Sequence, residues 1–290
     1  MKLLYINEHL SCFNYSSGED SLINSLNIKK GDVVDKRFKN NCIVFVVDGI
    51  LTFSYDSYAA SFVKKGNIII CPANVKCKIF AATDSTLLII QLNADLTFCD
   101  NFSFETLVKK KKKRRKNELN QTCLHILEAN MAISHFVDML IMYLHDGLCC
   151  TYLYKMKIKE MLFFFNAFYT KEEQKTFFAP ILNSDFIFSL KVNSIYNEDA
   201  STTVGKMADM MGYSLSGFGK KFKKVFSMHV NKWLQNKKAQ SVYHDINCTT
   251  KTFSELAYDH NFSSPAHFSF FCKKMFDEAP GNIRKKNMLG

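Results

Sequence analysis

Glycine and proline are scarce in this sequence, with 11 and 4 residues among 290. This scarcity excludes a collagenous, linker-like or loop-dominated protein. Long apolar stretches are missing too: residues 161–169 are interrupted by Asn166 and fall well short of the ~18 residues that a membrane-spanning helix needs. The first residues carry no apolar segment of signal-peptide length. We therefore expect a cytoplasmic protein that has no membrane partner.

Candidate metal ligands are missing from the front of the chain, since residues 21–104 contain neither histidine nor glutamate. Metal-dependent barrel enzymes bind their ion through clustered imidazoles and a carboxylate, so we predict no metal, no cofactor and no catalytic residue. The sequence also has no nucleophile elbow and no phosphate-binding glycine loop, which argues against a barrel enzyme with an accessory nucleic-acid domain. The ten scattered cysteines are interpreted as buried apolar side chains in a reducing compartment.

The formal charge of +11 is distributed unevenly along the chain. Residues 1–108 hold 10 Lys and Arg against 11 Asp and Glu, whereas residues 109–195 and 196–290 each hold 14 against 8. The middle excess comes from eight adjacent cations, Lys109–Lys116, which repel one another and resist burial. They predict an exposed linker over residues 109–118, although a phosphate-contacting arm or a targeting signal stays open.

Two kinds of apolar spacing follow one another in the first two thirds of the chain. Residues 41–93 contain short apolar runs separated by turn residues, which predict a small antiparallel barrel or sandwich that could hold an organic effector. Residues 119–196 change to helical spacing, with one helix ending at Asp146-Gly147 and a second over residues 156–169. The second is apolar over most of its circumference, so it is buried in the domain core or in a subunit contact.

A helix-turn-helix pattern begins near Ser201. One of the residues Ser201-Thr202-Thr203 caps a short helix that ends at Gly212, and Ser214 caps a second, amphipathic helix. The apolar set of this second helix is predicted to face inward. It consists of Leu215, Phe218, Phe222, Val225 and Phe226.

The same pattern recurs about fifty residues later. The apolar positions 218, 222, 225 and 226 reappear at 268, 272, 275 and 276, each copy has a lysine pair, and Pro265 begins a helix. Residues 229–243 are predicted to form a connecting helix ~22 Å long, whose inward residues are Val230, Trp233, Leu234 and Val242. One turn of DNA is ~34 Å long, so a helix of this length could place two recognition helices about one turn apart. The only tryptophan, Trp233, is interpreted as core packing.

These last 90 or so residues resemble the DNA-binding domain of the AraC/XylS family of bacterial transcription regulators. The resemblance lies in Gly212-Tyr213-Ser214 with residues 218–224, and in residues 253–257 with 261–269 and 276–280. The order of elements in the front half also resembles this family, which has a cupin-like β domain followed by helices. The implied fold is α+β, with a cupin-like domain at 1–108, the linker at 109–118, a helical coupling or dimerisation segment at 119–196, and a tandem helix-turn-helix domain at 197–290.

The resemblance implies a transcription regulator that binds double-stranded DNA by sequence and is nucleoid-associated, not an enzyme. Its recognition helices would lie near residues 214–226 and 265–276, in the major groove. A homodimer is the expected assembly, and RNA polymerase and an unidentified small-molecule effector stay open as partners. The lysine content also leaves open a charge-driven architectural or RNA-binding protein.

The resemblance also assigns roles to single residues. Ser216, Gly219 and Lys220 match base-facing positions, with Lys220 expected at guanine O6/N7, while Lys223 and Lys224 are expected at phosphates. The predicted DNA-contacting set is Ser214, Ser216, Gly219, Lys220, Lys221, Lys223, Lys224, Ser264, Pro265, Ala266, His267, Ser269, Phe270, Lys273 and Lys274.

The sequence departs from the family pattern at several positions. Phe270 stands where the family usually has arginine, Asn261 where it has a turn glycine, and Cys272 where it has phenylalanine. Gly219 has no side chain with which to contact a base. Since phenylalanine donates no hydrogen bond, we predict that the first unit dominates base readout and that Lys273 and Lys274 of the second unit contact phosphates, with His267 and Ser269 as lesser candidates.

Overall fold

The structure is a computed structural model that describes residues 3–12, 14–18, 21–55, 60–92 and 124–288. The predicted linker with its lysine run lies outside these residues. The chain divides into two compact units, one formed by the described parts of residues 1–9 and 14–190, the other by those of residues 10–13 and 191–290. Within the described ranges, no helix combines the length and the apolar character that crossing a membrane requires.

The N-terminal unit is built on two antiparallel sheets with strand orders β1-β8-β3-β6-β9 and β2-β7-β4-β5. A short helix, α1 (Ile6–Ser11), precedes them. The strands are β1 (Ile23–Ile28), β2 (Val33–Arg37), β3 (Asn41–Asp48), β4 (Ile50–Tyr55), β5 (Ser61–Lys64), β6 (Asn67–Cys71), β7 (Lys76–Ala81), β8 (Ser85–Leu92) and β9 (Leu127–Glu128).

The five-stranded sheet is buried on both faces, which explains its uninterrupted apolar runs. On one face Val44 lies opposite Ile69 and Ile89, in a core shared with the second sheet. On the other face Ile43 lies opposite Ile70, in a core shared with helices. Only one face of the four-stranded sheet packs on the core between the two sheets, so buried and exposed residues alternate along β7. The two sheets form a sandwich, one of the two predicted arrangements.

Three helices pack against the outer face of the five-stranded sheet: α2 (Met131–Asp146), α3 (Thr151–Phe168) and α4 (Lys171–Phe178). Helix α2 ends at Gly147, in the left-handed conformation at φ +83°, as the sequence predicts. Helix α3 begins five residues before the predicted Met156. Ile158, Met161 and Phe165 of α3 are buried in the shared core, so the core receives one side of this helix. The next helix, α5 (Ser184–Glu198), carries the chain into the C-terminal unit.

The strands that the sequence analysis missed are β1, β2 and β9. In β1, Asn24, Ser25 and Asn27 occupy half of the six positions, which hides the apolar residues that reach the core. In β2 only Val33 and Val34 are apolar, and β9 has two residues. Short or half-polar strands become strands because a neighbouring strand supplies hydrogen bonds, and that neighbour is remote in sequence.

The C-terminal unit is all helical, as predicted. After α5 it contains α6 (Val204–Met210), α7 (Leu215–Phe226), α8 (Val230–Cys248), α9 (Phe253–Asp259), α10 (Pro265–Phe276) and α11 (Pro280–Met288). The helix pair α6–α7 and the helix pair α9–α10 are the two helix-turn-helix units, joined by α8.

Gly49 forms the turn between the two sheets of the sandwich and admits no side chain. Its φ is +93°, and a Cβ there would lie 2.5 Å from the Asp84 carbonyl oxygen and even closer to the Ser85 hydroxyl. Gly66 adopts a similar φ of +85° but has open space around it. Substitutions at the two glycines therefore distinguish the cost of the left-handed backbone, which both share, from the cost of the close contact, which only Gly49 has.

We expect Gly66→Ala to cost about 1–2 kcal/mol of unfolding free energy, the cost of a left-handed alanine. Gly49→Ala should cost about 1–3 kcal/mol more, because the neighbouring backbone must also move. Urea unfolding of the full chain measures both values, and hydrogen exchange in residues 41–55 and 85–92 locates the loss. Equal destabilisation by the two variants would contradict the close approach at Gly49.

Candidate nucleic-acid interface

The first helix-turn-helix unit is held by two capping side chains and a tight turn. The Thr203 hydroxyl accepts a hydrogen bond from the Lys206 N–H at the start of α6, and the Ser214 hydroxyl accepts one from the Gly217 N–H at the start of α7. Between them Gly212 has a φ of +70°. The sequence predicted the helix end at Gly212 and the cap at Ser214, and both are confirmed.

The second unit repeats these bonds at displaced positions. Thr252 caps α9 in a capping box with Glu255, and the Thr252 backbone N–H bond holds the pKa of the Glu255 carboxyl below its usual value. Asn261 takes the place of Gly212 with a φ of +52°, since asparagine tolerates this region better than most residues. The Ser264 hydroxyl accepts a hydrogen bond from the N–H of His267 and caps α10.

The two turns differ by one residue. In the first unit Tyr213 N–H donates to the Ala208 carbonyl at 2.9 Å, and in the second Phe262 N–H donates to Ala257 at 2.8 Å, a displacement of forty-nine positions. After the turn the displacement is fifty, because Ser263 is added. Its hydroxyl lies 3.1 Å from Nδ1 of His267.

The buried side of each recognition helix follows the predicted repeat. Phe218 and Phe222 of α7 are fully buried, as are Phe268 and Cys272 of α10. Burial raises the pKa of the Cys272 thiol to about 11, so it stays neutral and packs as an apolar group. Leu215 contradicts the prediction that it faces inward, because it is 61% exposed. It is the first residue of α7 and lies beyond the reach of the core.

The connecting helix α8 is longer than predicted. It runs to Cys248 rather than to Tyr243, and ends where the Thr249 hydroxyl bonds the carbonyl of Asp245 at 2.7 Å. The signal for the extension was Ile246, four residues after Val242 and fully buried with it. Of the residues predicted inward, Val230, Trp233 and Val242 are buried and Leu234 is half-buried.

Aromatic rings attach the first unit to α8. Trp233 is 6% exposed, and its ring centroid lies 5.7 Å from that of Phe222, 5.6 Å from Phe226 and 5.3 Å from Tyr196. The interpretation of Trp233 as core packing is confirmed. Because Phe222 and Phe226 belong to α7, this cluster holds the first recognition helix against the connecting helix.

The second unit packs on α8 through an apolar core that Val242 and Ile246 share with Leu256, Phe268 and Cys272, and polar contacts add to it. The ammonium of Lys238 lies 3.8 Å from the ring centroid of Phe262, and burial lowers the pKa of Lys238. Asp245 Oδ2 lies 2.8 Å from Nε2 of His260. These residues position the unit, and sequence reasoning missed them because partners fifteen or more residues apart leave no local pattern.

Arg284 of α11 completes this attachment. Its Nε donates to the Ile246 carbonyl at 3.0 Å, and its guanidinium lies 4.5 Å from the ring centroid of Phe253. One side chain thereby joins α11 to α8 and to the first helix of the second unit.

The predicted DNA-contacting residues of α7 fall mainly on its solvent side. Exposed residues are Ser214, Ser216, Lys220, Lys223 and Lys224. Gly219 and Lys221 are half-buried, so the prediction that they point outward holds only in part. No atom lies within 4 Å of where a Cβ of Gly219 would be, apart from its own helix backbone and chain neighbours. The backbone of Gly219 is therefore uncovered by side chains on the side of α7 next to Lys220.

The corresponding residues of α10 show the same distribution. Pro265, Ala266, His267, Phe270, Lys273 and Lys274 are exposed, while Ser264 and Ser269 are half-buried. The two helices therefore present lysines at the same place, Lys223-Lys224 and Lys273-Lys274, one turn after a central exposed residue. That residue is Lys220 in α7 and Phe270 in α10.

A ligand site is less clearly defined in the N-terminal unit than the candidate DNA-contacting side is in the C-terminal unit. In the described residues no group of three or more His, Cys, Asp or Glu side chains is arranged to hold a metal ion. A solvent-open groove on the four-stranded sheet is lined by Arg37, Lys76 and Lys78 together with Asp35. The core between the two sheets is filled by their side chains.

Comparison with known proteins gives one family match. Residues 207–286 match the sequence model of a family described as a helix-turn-helix domain. This range begins within α6 and ends within α11, so it spans most of the first helix-turn-helix unit and all of the second. No curated protein matches the chain.

Several solved structures are similar to the chain. ToxT from Vibrio cholerae, with an unsaturated fatty acid bound, is 12% identical over 90% of this chain and 93% of its own, with a TM-score of 0.36. The C-terminal domain of the response regulator yesN from Fusobacterium nucleatum is 20% identical over 32% of this chain and 93% of its own (TM-score 0.30). An AraC-type regulator from Chromobacterium violaceum is 18% identical over 33% and 88% (TM-score 0.32).

The two glycines of α7 provide a test of its geometry. Gly219→Ala should raise the unfolding free energy of the C-terminal unit by about 0.5–1 kcal/mol, because alanine favours a helix and meets no neighbour. Gly217→Ala is the matched control. Its Cβ would lie 3.0 Å from the capping Ser214 Oγ, and this close contact should cancel the gain in helix propensity. Urea unfolding followed by fluorescence of Trp233, the only tryptophan, measures both. Destabilisation by Gly219→Ala would contradict the open space beside Gly219.

Proposed function

We propose that this chain is an AraC-type transcription regulator whose helix-turn-helix domain, matched over residues 207–286, binds specific double-stranded DNA sequences through the major groove. The observation that supports this most directly is the repeated exposed side of α7 and α10. Two helices with the same caps, the same buried positions and the same lysine pair present that side to solvent. A helix of this size fits the major groove.

The length of α8 supports joint binding by the two units. Nineteen residues at ~1.5 Å per residue give a rod of ~28 Å, close to the ~34 Å of one DNA turn. A connection of this length allows both recognition helices to enter successive segments of the major groove. Buried side chains of α8 contact both units, Trp233 the first and Val242 and Ile246 the second.

In the first unit we assign base contacts to Lys220 and Ser216. An exposed lysine at the centre of a recognition helix can donate to guanine O6 and N7. Gly219 lets the helix backbone approach the base edges, since it adds no side chain beside Lys220. Lys223 and Lys224, one turn later, are assigned to phosphates, and Ser214 and Lys221 to the edge of the contact.

In the second unit we assign phosphate contacts to Lys273 and Lys274. Ser264 and Pro265, at the start of α10, would lie near the sugar-phosphate backbone, and Ala266, four residues before Phe270, would lie near the base edges. His267 is held by Ser263 through Nδ1, so Nε2 is the ring nitrogen that could contact DNA. Ser269 is half-buried and contributes less.

We further propose that the N-terminal unit regulates binding through a homodimer. On the side of α3 away from the core, Tyr152, Met156 and Phe163 are exposed at the spacing of one helical face. An exposed apolar face of this kind is typical of a contact between subunits. Control by a small-molecule effector and contact with RNA polymerase remain part of the proposal, as does a location in the cytoplasm with the nucleoid.

A second candidate function is charge-driven binding to DNA or RNA without sequence preference. The net charge of +11 and the run Lys109–Lys116 favour it. The two functions respond differently to salt, because phosphate contacts weaken steeply with ionic strength whereas base contacts keep their preference. Random-sequence DNA selection, followed by binding to selected and scrambled duplexes across a salt series, distinguishes them. Loss of all sequence preference throughout the series would favour charge-driven binding.

Single lysine variants test the assigned roles. Lys220→Ala should lower affinity for the selected duplex by about 10- to 100-fold and remove the preference at one base pair. Lys223→Ala should weaken binding to all duplexes alike and reduce the salt slope by about 1. Lys65→Ala, an exposed lysine of the N-terminal unit, is the control and should change neither quantity. A uniform loss with Lys220→Ala would contradict its assignment to a base.

Base-pair substitutions test the division of labour between the units. Changes under the first unit should cost about 1–3 kcal/mol of binding free energy for each base pair, and changes under the second unit less. Hydroxyl-radical footprinting assigns each half-site, with Lys220→Ala and Lys273→Ala marking which unit lies there. Equal losses at both half-sites would overturn the predicted dominance of the first unit.

A further inference from the structure

Phe270 is the most exposed large apolar residue on the two recognition helices, at 65%. It lies in the middle of α10, at the position that Lys220 occupies in α7. The neighbouring aromatic residues have structural partners: Phe268 is fully buried, and the ring centroid of Phe271 lies 5.1 Å from that of Phe262. Packing in the described part of the chain therefore does not explain why position 270 is aromatic.

The surroundings of Phe270 show what it would meet. Ala266, four residues earlier on the same side of α10, is also exposed and apolar, so positions 266 and 270 offer a base no hydrogen-bond donor, while His267 and Ser269 lie beside them. Lys273 and Lys274 follow one turn later and are exposed, where phosphates would hold the helix in the groove. The apolar centre would then face the base edges.

The major groove presents one apolar group to such a surface. Thymine carries a methyl group at C5, whereas the other three bases present only hydrogen-bonding atoms and C–H edges there. We propose that Phe270 is a specificity-determining residue that contacts the 5-methyl group of a thymine in the half-site of the second unit. The proposal rests on the proposed function, because it requires α10 to lie in the major groove.

Replacement of single thymines by deoxyuridine tests this contact on the unaltered protein. The substitution removes one methyl group and leaves base pairing intact. In the selected duplex, one or two replacements under the second unit should each lower affinity about fourfold, the effect of uncovering one methyl-sized apolar group. Replacements under the first unit should change affinity less than twofold.

Protein variants connect the effect to the side chain. Phe270→Ala should weaken binding to the thymine duplex to the level of the uracil duplex, so that the two bind alike. Phe270→Leu keeps an apolar group and should retain part of the difference. Tyr258→Ala is the matched control, because Tyr258 is an 82% exposed aromatic residue of the same unit outside the recognition helix, and it should keep the full thymine preference.

The outcomes separate this proposal from the function on which it rests. Specific binding with equal affinity for thymine and uracil duplexes under the second unit would overturn the role of Phe270 and leave the regulator standing. A thymine preference that survives in Phe270→Ala would overturn it as well. Failure of the unaltered protein to select any DNA sequence would overturn both. The deoxyuridine series needs no variant, so poor folding of Phe270→Ala would not prevent the test.

Discussion

Burial of two side chains, four residues apart, decides which side of each recognition helix faces solvent. In α7 these are Phe218 and Phe222, and in α10 they are Phe268 and Cys272. Because an α-helix turns once in 3.6 residues, burying positions i and i+4 places i+2, i+5 and i+6 on the opposite side. Those positions carry Lys220 and the lysine pair in α7, and Phe270 and the lysine pair in α10. The candidate interface is thus a consequence of core packing.

Both units are attached to α8 through buried apolar side chains, and the second unit has polar contacts as well. Rings around Trp233 hold the first, and burial of apolar area supplies most of such stability. Val242 and Ile246 hold the second through an apolar core, to which Lys238 and Arg284 add cation–π contacts and Asp245 and His260 add a hydrogen bond. Truncating Asp245 or His260 leaves its partner unsatisfied.

The architecture of the N-terminal unit depends on one sheet that is covered on both faces. The five-stranded sheet needs apolar residues on both faces, because the second sheet packs on one and helices on the other. This explains runs such as Ile68–Cys71 and the alternation in β7, which has a solvent face. It also explains why residues 131–182 belong to the same unit as the strands, although their helical spacing sets them apart in the sequence.

Local patterns predicted the helix-turn-helix repeat, the caps of the first unit and the buried positions other than Leu215, because spacing, capping residues and turn residues act over a few neighbours. The apolar runs of residues 41–93 also predicted the stretch of chain that forms β3 to β8, six of the nine strands in the described residues. The exposure of Leu215 and the strand character of β1 and β2, by contrast, depend on tertiary contacts. The contacts of Lys238, His260 and Arg284 also depend on tertiary structure. Each depends on atoms brought together from distant parts of the chain, and such pairings leave no periodic signal in the sequence.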